Sequence, residues 1–242
     1  MSKPHNPPQR ATAVDRAIEA FRTGTPVLVH DFDDREGEVD MIYPAIDVTP
    51  RDVARLRNDA GGLICVALGP EVADTFELPF LASQIDHPVA ESDHLGYDER
   101  SSFSITVNHR DTYTGITDND RALTISALGE AAAAPEETDF ARTFRSPGHV
   151  HLLRASRYGL ADRQGHTEMG VALAQRAGRP PAAVVCEMLD DETGEALSTE
   201  TAMAYAQRHD FPFVEGASVR RSSIRVASSS ARASALNSAS TS

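Results

Sequence analysis

Residues 26–46 read PVLVHDFDDREGEVDMIYPAI, two apolar runs of strand length held apart by a segment crowded with acids. PVLVH (26–30) and MIYPAI (41–46) are rich in branched and large apolar side chains, which predicts two buried strands. Between them, DFDDREGEVD (31–40) packs six carboxylates and one arginine into ten residues. An extended backbone over Glu36-Gly37-Glu38-Val39-Asp40 would turn Glu36, Glu38 and Asp40 to one face. Carboxylates so placed repel one another and call for a metal ion or an arginine. Hard cations such as Mg2+ favour oxygen donors of this kind. A solvated acidic loop explains the run as well, and composition alone favours that plainer account.

Outward from this stretch, strands and helices alternate. VDRAIEAF carries apolar residues at Val14, Ala17, Ile18 and Phe21, a helical stripe closed by Gly24. Thr49-Pro50 opens a helix through Arg57, with Thr49 as the cap. GGLICVAL (61–68) is a glycine turn and a strand, and 70–100 is loop-rich. SFSITVNH (102–109) alternates as a strand, and DNDRALTISALGEAAA (118–133) is a helix. SPGHVHLLRAS places a strand after a Pro-Gly turn, and RQGHTEMGVALAQRAG a helix ended by Gly178. PAAVVCEML (181–189) is a strand, DDETG a turn, and STETAMAYAQRHD (198–210) a helix capped by Ser198. The pattern is one α/β domain over residues 13–216. Residues 1–12 read as a mobile arm, and 217–242, mostly serine, alanine and arginine, as a disordered tail.

Composition narrows the classes. The 242 residues carry a formal charge of −13, and Lys3 is the sole lysine against 22 arginines. Such an acidic, lysine-poor surface fits adaptation to high salt, where screening mutes self-repulsion. It also disfavours nucleic acid, which needs a basic face. No apolar run is long enough to cross a membrane, and the N-terminus lacks a secretory h-region. Cys65 and Cys186 both sit in apolar runs and read as reduced thiols, so the expected compartment is the cytoplasm.

Four further stretches could carry chemistry. In RQGHTE (163–168), a glycine turn before a helix aims free N–H groups and the Thr167 hydroxyl at an anion, and Arg163 adds a forked donor. His166 there could bind a metal or move a proton, although an ordinary helix start has the same letters. In SPGHVHLL, His149 follows a Pro-Gly turn, where its side chain could face a pocket, and His151 shares its strand face; a purely structural histidine explains either one. Glu187 ends the apolar run VVCE, where a carboxylate is costly unless paired or used, or where the strand simply surfaces. Thr114 and Arg121 in TYTGITDNDRALTI could hold a polar ligand, or merely frame a helix start. Cys65 could border a pocket, but a buried, inert thiol explains it more simply.

Taken jointly and in order, DDREGEVD, GGLICVAL, TGITDNDRALTI, SPGHVHLLRA, GLADRQGHTE and VVCEMLDDETG resemble the 3,4-dihydroxy-2-butanone 4-phosphate synthases of riboflavin biosynthesis. The resemblance covers residues 13–216 and no GTP cyclohydrolase II module follows. It implies a three-layer α/β/α sandwich around a mixed sheet and a homodimer with shared sites. It implies a lyase that converts ribulose 5-phosphate to 3,4-dihydroxy-2-butanone 4-phosphate and formate through a metal-stabilised enediolate. Glu36 and His166 would then hold Mg2+ (or Mn2+), with a second ion allowed. Arg35, Glu36 and Asp40 would touch the sugar, and Arg163, Gln164, Gly165, His166 and Thr167 the phosphate and nearby hydroxyls. His149 and Glu187 match positions essential to catalysis, and Glu187 or Asp40 would take the C3 proton. His149 would serve the dehydration or rearrangement. Asp31 and Glu38 are further acids of the pocket, and Cys65 and Thr114 would line it. The chain departs from GHxFPL with GHVHLL and from GHTEA with GHTEMG, which bears on pocket shape. Two other readings stay open: another metal-assisted pentulose-phosphate isomerase or aldolase, and a phosphosugar-binding protein without turnover.

Overall fold

The stripe starting at Val14 becomes α1 (Ala13–Arg22), and Thr12 closes a reciprocal cap with Asp15 at its start. The computed structural model describes residues 11–32, 35–90, 98 and 100–223. The apolar runs that flank the acidic segment are β1 (Val27–His30) and β2 (Val39–Pro44), paired antiparallel with His30 opposite Val39. The second strand begins two residues earlier than predicted, which takes Asp40 into the sheet. α2 (Pro50–Arg55) starts at Pro50 and runs into a wider turn over Leu56–Ala60. β3 (Cys65–Leu68), α3 (Pro70–Thr75), β4 (Phe103–His109) and α4 (Asp118–Ala133) follow, α4 with the predicted limits.

α5 (Phe140–Thr143) leads directly into β5 (Phe144–Arg154). Pro147-Gly148 therefore lies inside a strand and not in a turn ahead of one. The pairing of β4 with β5 slips between Val107 and Asn108, so the ladder absorbs the proline as an irregularity. The Ser146–Pro147 peptide is cis. The remaining elements are α6 (His166–Arg176), β6 (Ala182–Glu187), α7 (Thr199–His209), β7 (Phe213–Glu215) and α8 over 216–223. The strand β7 was not anticipated. Nor was α8, which carries buried Val219, so the fold extends beyond the boundary expected at 216. A helix there pairs its apolar residue with the sheet despite the serine-rich composition. Residues 224–242 and 1–10, read as tail and arm, lie outside the described residues.

The strands form one mixed sheet in the order β4-β5-β3-β6-β2-β1-β7, with β1/β7 and β3/β5 parallel. Strand alternation splits its side chains between two cores. On one face Met41, Tyr43, Val66, Val184 and Cys186 pack against Val53 of α2, Ile125 and Leu128 of α4, and Ala202 of α7. On the other, Ile42, Cys65, Ala67 and Val185 meet Phe21 of α1, Met169 and Leu173 of α6, and Val219. The architecture is thus an α/β/α sandwich. Leu128 is fully buried while Leu123 of the same helix is 39% exposed. Leu128→Ala is expected to cost about 2–5 kcal/mol and Leu123→Ala only about 0.5 kcal/mol, read from urea unfolding.

Candidate active site

β2 and β6 set Asp40 directly opposite Glu187, both on the α6 side of the sheet. Glu36 and Glu38 precede Asp40 at the predicted alternation, and His166 descends from the first turn of α6. Together with Arg35, Arg163 and Thr167 they wall a cavity of about 340 Å3, whose rim adds Ser101, Ser102 and Phe103. The bend that brings the acids here is braced by Asp31, whose carboxylate accepts the Glu36 and Glu38 backbone N–H groups at 3.2 and 3.1 Å.

His166 is the hub. Its Nε2 lies 3.1 Å from the carbonyl oxygen of Val29, which can only accept, so Nε2 carries a proton. Nδ1 then faces the acids, 3.4 Å from Asp40 Oδ1 and 3.7 Å from Glu36 Oε2. Burial alone would push this imidazole down, but the Asp40, Glu36 and Asp31 carboxylates carry it up to about 9. Burial likewise pushes Asp40 up to about 8; Glu187, Glu36 and Glu38 add to the rise and His166 opposes it. Glu38 is raised by burial first and by Glu36 and Glu187 next. Burial also works against the Glu36 carboxylate, yet the His166 hydrogen bond and the Arg35 and Arg163 charges leave it below the usual range.

Donor atoms of Asp31, Glu36 and His166 lie within 4.8 Å of one another. Asp40 Oδ1 is buried without a hydrogen-bond partner among the described residues. Oxygen donors, one imidazole nitrogen with its other nitrogen already committed, and an unanswered carboxylate oxygen are a donor set that fits a divalent cation.

Beside the acids stands a helix start flanked by two arginines. α6 begins at His166 with no side-chain cap on its first turn, and His166 and Thr167 of that turn line the cavity. Arg163 donates through Nη1 to Glu168 Oε2 at 2.9 Å and through Nε to Asp98, which also accepts from Arg35 Nη2 at 2.7 Å. Glu168 is fully buried, and its other oxygen accepts the Ser156 N–H at 3.0 Å. Gly165 leaves room for both guanidinium groups, since a Cβ there would lie 2.3 Å from Arg163 and 2.8 Å from Arg35.

The 3,4-dihydroxy-2-butanone 4-phosphate synthase family model matches residues 15–222. The chain belongs to this family. It is 50% identical over 217 residues to the 3,4-dihydroxy-2-butanone 4-phosphate synthase of Archaeoglobus fulgidus, covering 85% of this chain and 91% of that one. The enzyme of the same name from Methanothermobacter thermautotrophicus is 48% identical over 84% of this chain and 93% of its own length. Among solved structures, a 3,4-dihydroxy-2-butanone 4-phosphate synthase in complex with two magnesium ions superposes with a TM-score of 0.72. It is 32% identical and matches 85% of this chain and 93% of that one.

Not every synthase-motif residue reaches the cavity within one chain. Gln164 turns away to accept from Arg220 Nη1 of α8 at 3.2 Å. Cys65 does not line the wall as expected; it is 2% exposed in the core under α6, and burial, with Glu187 nearby, pushes its thiol up. Thr114 also stands off the wall, hydrogen-bonded through its N–H to Asp120 at 3.2 Å. His149 lies on the same sheet face as Glu187, two strands across and so about 10 Å away by strand spacing, outside the cavity lining. Its strand-mate His151 is half-buried between Cys65 and Thr106, with ring Nδ1 unpartnered among the described residues. Glu187 accepts the Leu63 N–H at 2.8 Å through Oε2, which steadies it at the end of β6.

Sequence reading missed Asp98 and Glu168, which hold the two arginines. In the sequence Glu168 is only an acid in the first turn of a helix. Its contacts to Ser156 and Arg163 are set by the turn after β5, which no local pattern announces.

With cation removed by EDTA, the raised groups make stability fall with rising pH. The folded state keeps a proton on Asp40 from about pH 4 to 8 and on His166 from about pH 6.5 to 9, where the unfolded chain has lost it. These contributions are fully present below the unfolded values and are gone once pH passes the folded ones. Thermal melts in EDTA should therefore fall from about pH 4 to 9, most steeply between pH 6.5 and 8 where both protons count, and the slope should be shallower in Asp40→Asn.

Proposed function

We propose that this cavity binds ribulose 5-phosphate together with a divalent cation and releases 3,4-dihydroxy-2-butanone 4-phosphate and formate. One observation carries the reading: a carboxylate cluster wrapped around a single imidazole adjoins an arginine-lined helix start in the same cavity. Glu36 and His166, with Asp31 alongside, would hold Mg2+ or Mn2+, and the remaining acids leave room for a second ion. When bound, the ion supplies positive charge against the negative charge that grows on substrate oxygens as a neighbouring C–H is broken.

The chain's own groups do the rest. Arg163, Gly165 and Thr167 receive the phosphate at the start of α6, and Arg35 reaches the sugar from the acidic segment. Asp40 takes the C3 proton: it lines the cavity, and its Oδ1 has no hydrogen-bond partner among the described residues. Glu187, facing it across the β2–β6 ladder, relays protons in later steps. Phe103, Leu153 and Val185 give the cavity an apolar side, which limits water at the reacting carbons. The acidic charge supports a small-molecule partner over nucleic acid, and the free, buried Cys65 and Cys186 suit a reducing cytoplasm.

His149 and Thr114 enter the reaction from a second copy of the chain. Tyr113 and Ile116, flanking Thr114, are 94% and 50% exposed, an apolar rim suited to cover by another subunit. The working form is thus a homodimer with shared sites.

Incubation with ribulose 5-phosphate should yield formate with Mg2+ and none with EDTA. Glu36→Gln should raise the Mg2+ requirement by about tenfold or more. Asp40→Asn should slow deuterium exchange at C3 by about 100-fold or more; full exchange would move the first base to Glu187. Absence of formate from the wild-type protein in any metal would refute the assignment.

Shared sites make a second forecast. At a Mg2+ concentration that saturates the wild type but is too low for Glu36→Gln to turn over, Glu36→Gln and His149→Ala chains should regain roughly a quarter of wild-type activity when mixed and allowed to exchange subunits. Random pairing makes about half the dimers mixed, each with one intact site. No recovery would place His149 and Glu36 of one chain in one site.

A further inference from the structure

His149 is exposed on β5, and Asn108 of β4, only 3% exposed, holds its ring. Asn108 Oδ1 accepts the His149 backbone N–H at 2.8 Å, while Nδ2 lies 3.1 Å from ring Nδ1 and 3.5 Å from the Thr114 carbonyl oxygen. The two backbone contacts decide which end of the amide is which. A backbone N–H only donates and a carbonyl only accepts, so reversing the amide would oppose donor to donor and acceptor to acceptor at once. Nδ2 therefore donates to ring Nδ1. A ring nitrogen that accepts carries no proton, so the neutral imidazole bears its hydrogen on Nε2. Among the described residues, none accepts a hydrogen bond from Nε2.

The amide has no room to swing. Gly115, at φ +88°, packs against it so closely that a Cβ would lie 2.0 Å from Nδ2. Asp120 fixes that turn by accepting the Thr114 and Gly115 N–H groups at 3.2 and 2.8 Å. The Thr-Gly turn thus clamps Asn108 as well as leading into α4.

We propose that Asn108 is a positioning residue that locks His149 in its Nε2–H tautomer, so that His149 serves the reaction as a neutral hydrogen-bond donor and not as a base. The inference rests on the reading of His149 as a reacting-site residue. With Nδ1 occupied by the amide and Nε2 already protonated, the ring has no lone pair with which to take a proton from carbon. That task stays with the carboxylates. The Nε2–H can instead hydrogen-bond a substrate oxygen as it gains negative charge, keeping its own proton throughout, so no proton needs a further acceptor. An aspartate at this position would accept where the asparagine donates and would reverse the tautomer.

Long-range 1H–15N correlation NMR on the full chain reads the tautomer directly, with His149 assigned by the signal lost in His149→Gln. The wild type should show Nε2–H and Asn108→Asp should show Nδ1–H. In the formate assay, Asn108→Asp should lower kcat on the order of 100-fold, with KM for ribulose 5-phosphate within about threefold. Asn108→Ala buries no new charge, so it serves if the aspartate variant does not fold. It should mix the tautomers and lower kcat by about tenfold. An Nδ1–H signal in the wild type overturns the proposal, and so does an unchanged kcat in variants whose tautomer has shifted. Unchanged formate release in His149→Ala would instead overturn the site reading beneath it, whatever the tautomer.

Discussion

Like charge held at close quarters organises this molecule. Strand pairing alone forces Asp40 against Glu187, and the bend before β2 adds Glu36 and Glu38 to the same cavity. Two like charges 4 Å apart in an effective dielectric near 20 repel by about 4 kcal/mol, so such crowding is costly. The nearby arginines offset only part of this, because Arg35 and Arg163 are drawn to Asp98 and Glu168. His166 absorbs the rest by holding a proton, and Asp40 by holding another. A cation held by these donors would compete with both protons.

The scaffold makes that arrangement affordable by separating roles between the sheet's two faces. The face under α2, α4 and α7 is an uninterrupted apolar core. The other face is apolar beneath α1 and α6 but opens at one end of β2 and β6 into the acidic cavity. α6 serves both purposes: Met169 and Leu173 seal the core, while His166 and Thr167, one turn earlier, face the chemistry. The acidic cluster and the arginine-flanked start of α6 thus adjoin in one cavity, an arrangement that fits the proposed phosphorylated sugar. The much larger groove of about 1290 Å3 between α1 and α6 is lined by exposed Asp15 and Glu19 at its edge and contains none of the clustered donors. Size therefore does not locate the chemistry here; charge crowding does.

Much of this was legible in the chain. Apolar runs and caps gave most of the strands and helices close to their true limits, because burial period and capping chemistry are local properties, but α3, β7, α8 and the start of β5 escaped them. The Glu36, Glu38, Asp40 alternation was readable for the same reason. By itself it could not be told from a solvated loop, and the ordered motifs shared with the synthase family removed that ambiguity.

What the sequence determined alone was an inventory: which faces are apolar, where helices begin, and which titratable groups sit at strand ends. Tertiary structure decided which groups meet. Asp40 and Glu187 are opposed by a ladder joining residues nearly 150 positions apart, Glu168 reaches Arg163 through a turn with no signature, and Asn108 meets His149 across a ladder whose register slips beside it. Proton positions and charge offsets depend on distances between segments remote in the chain. Local pattern encodes the periodicity of each segment but not the register in which two segments pair.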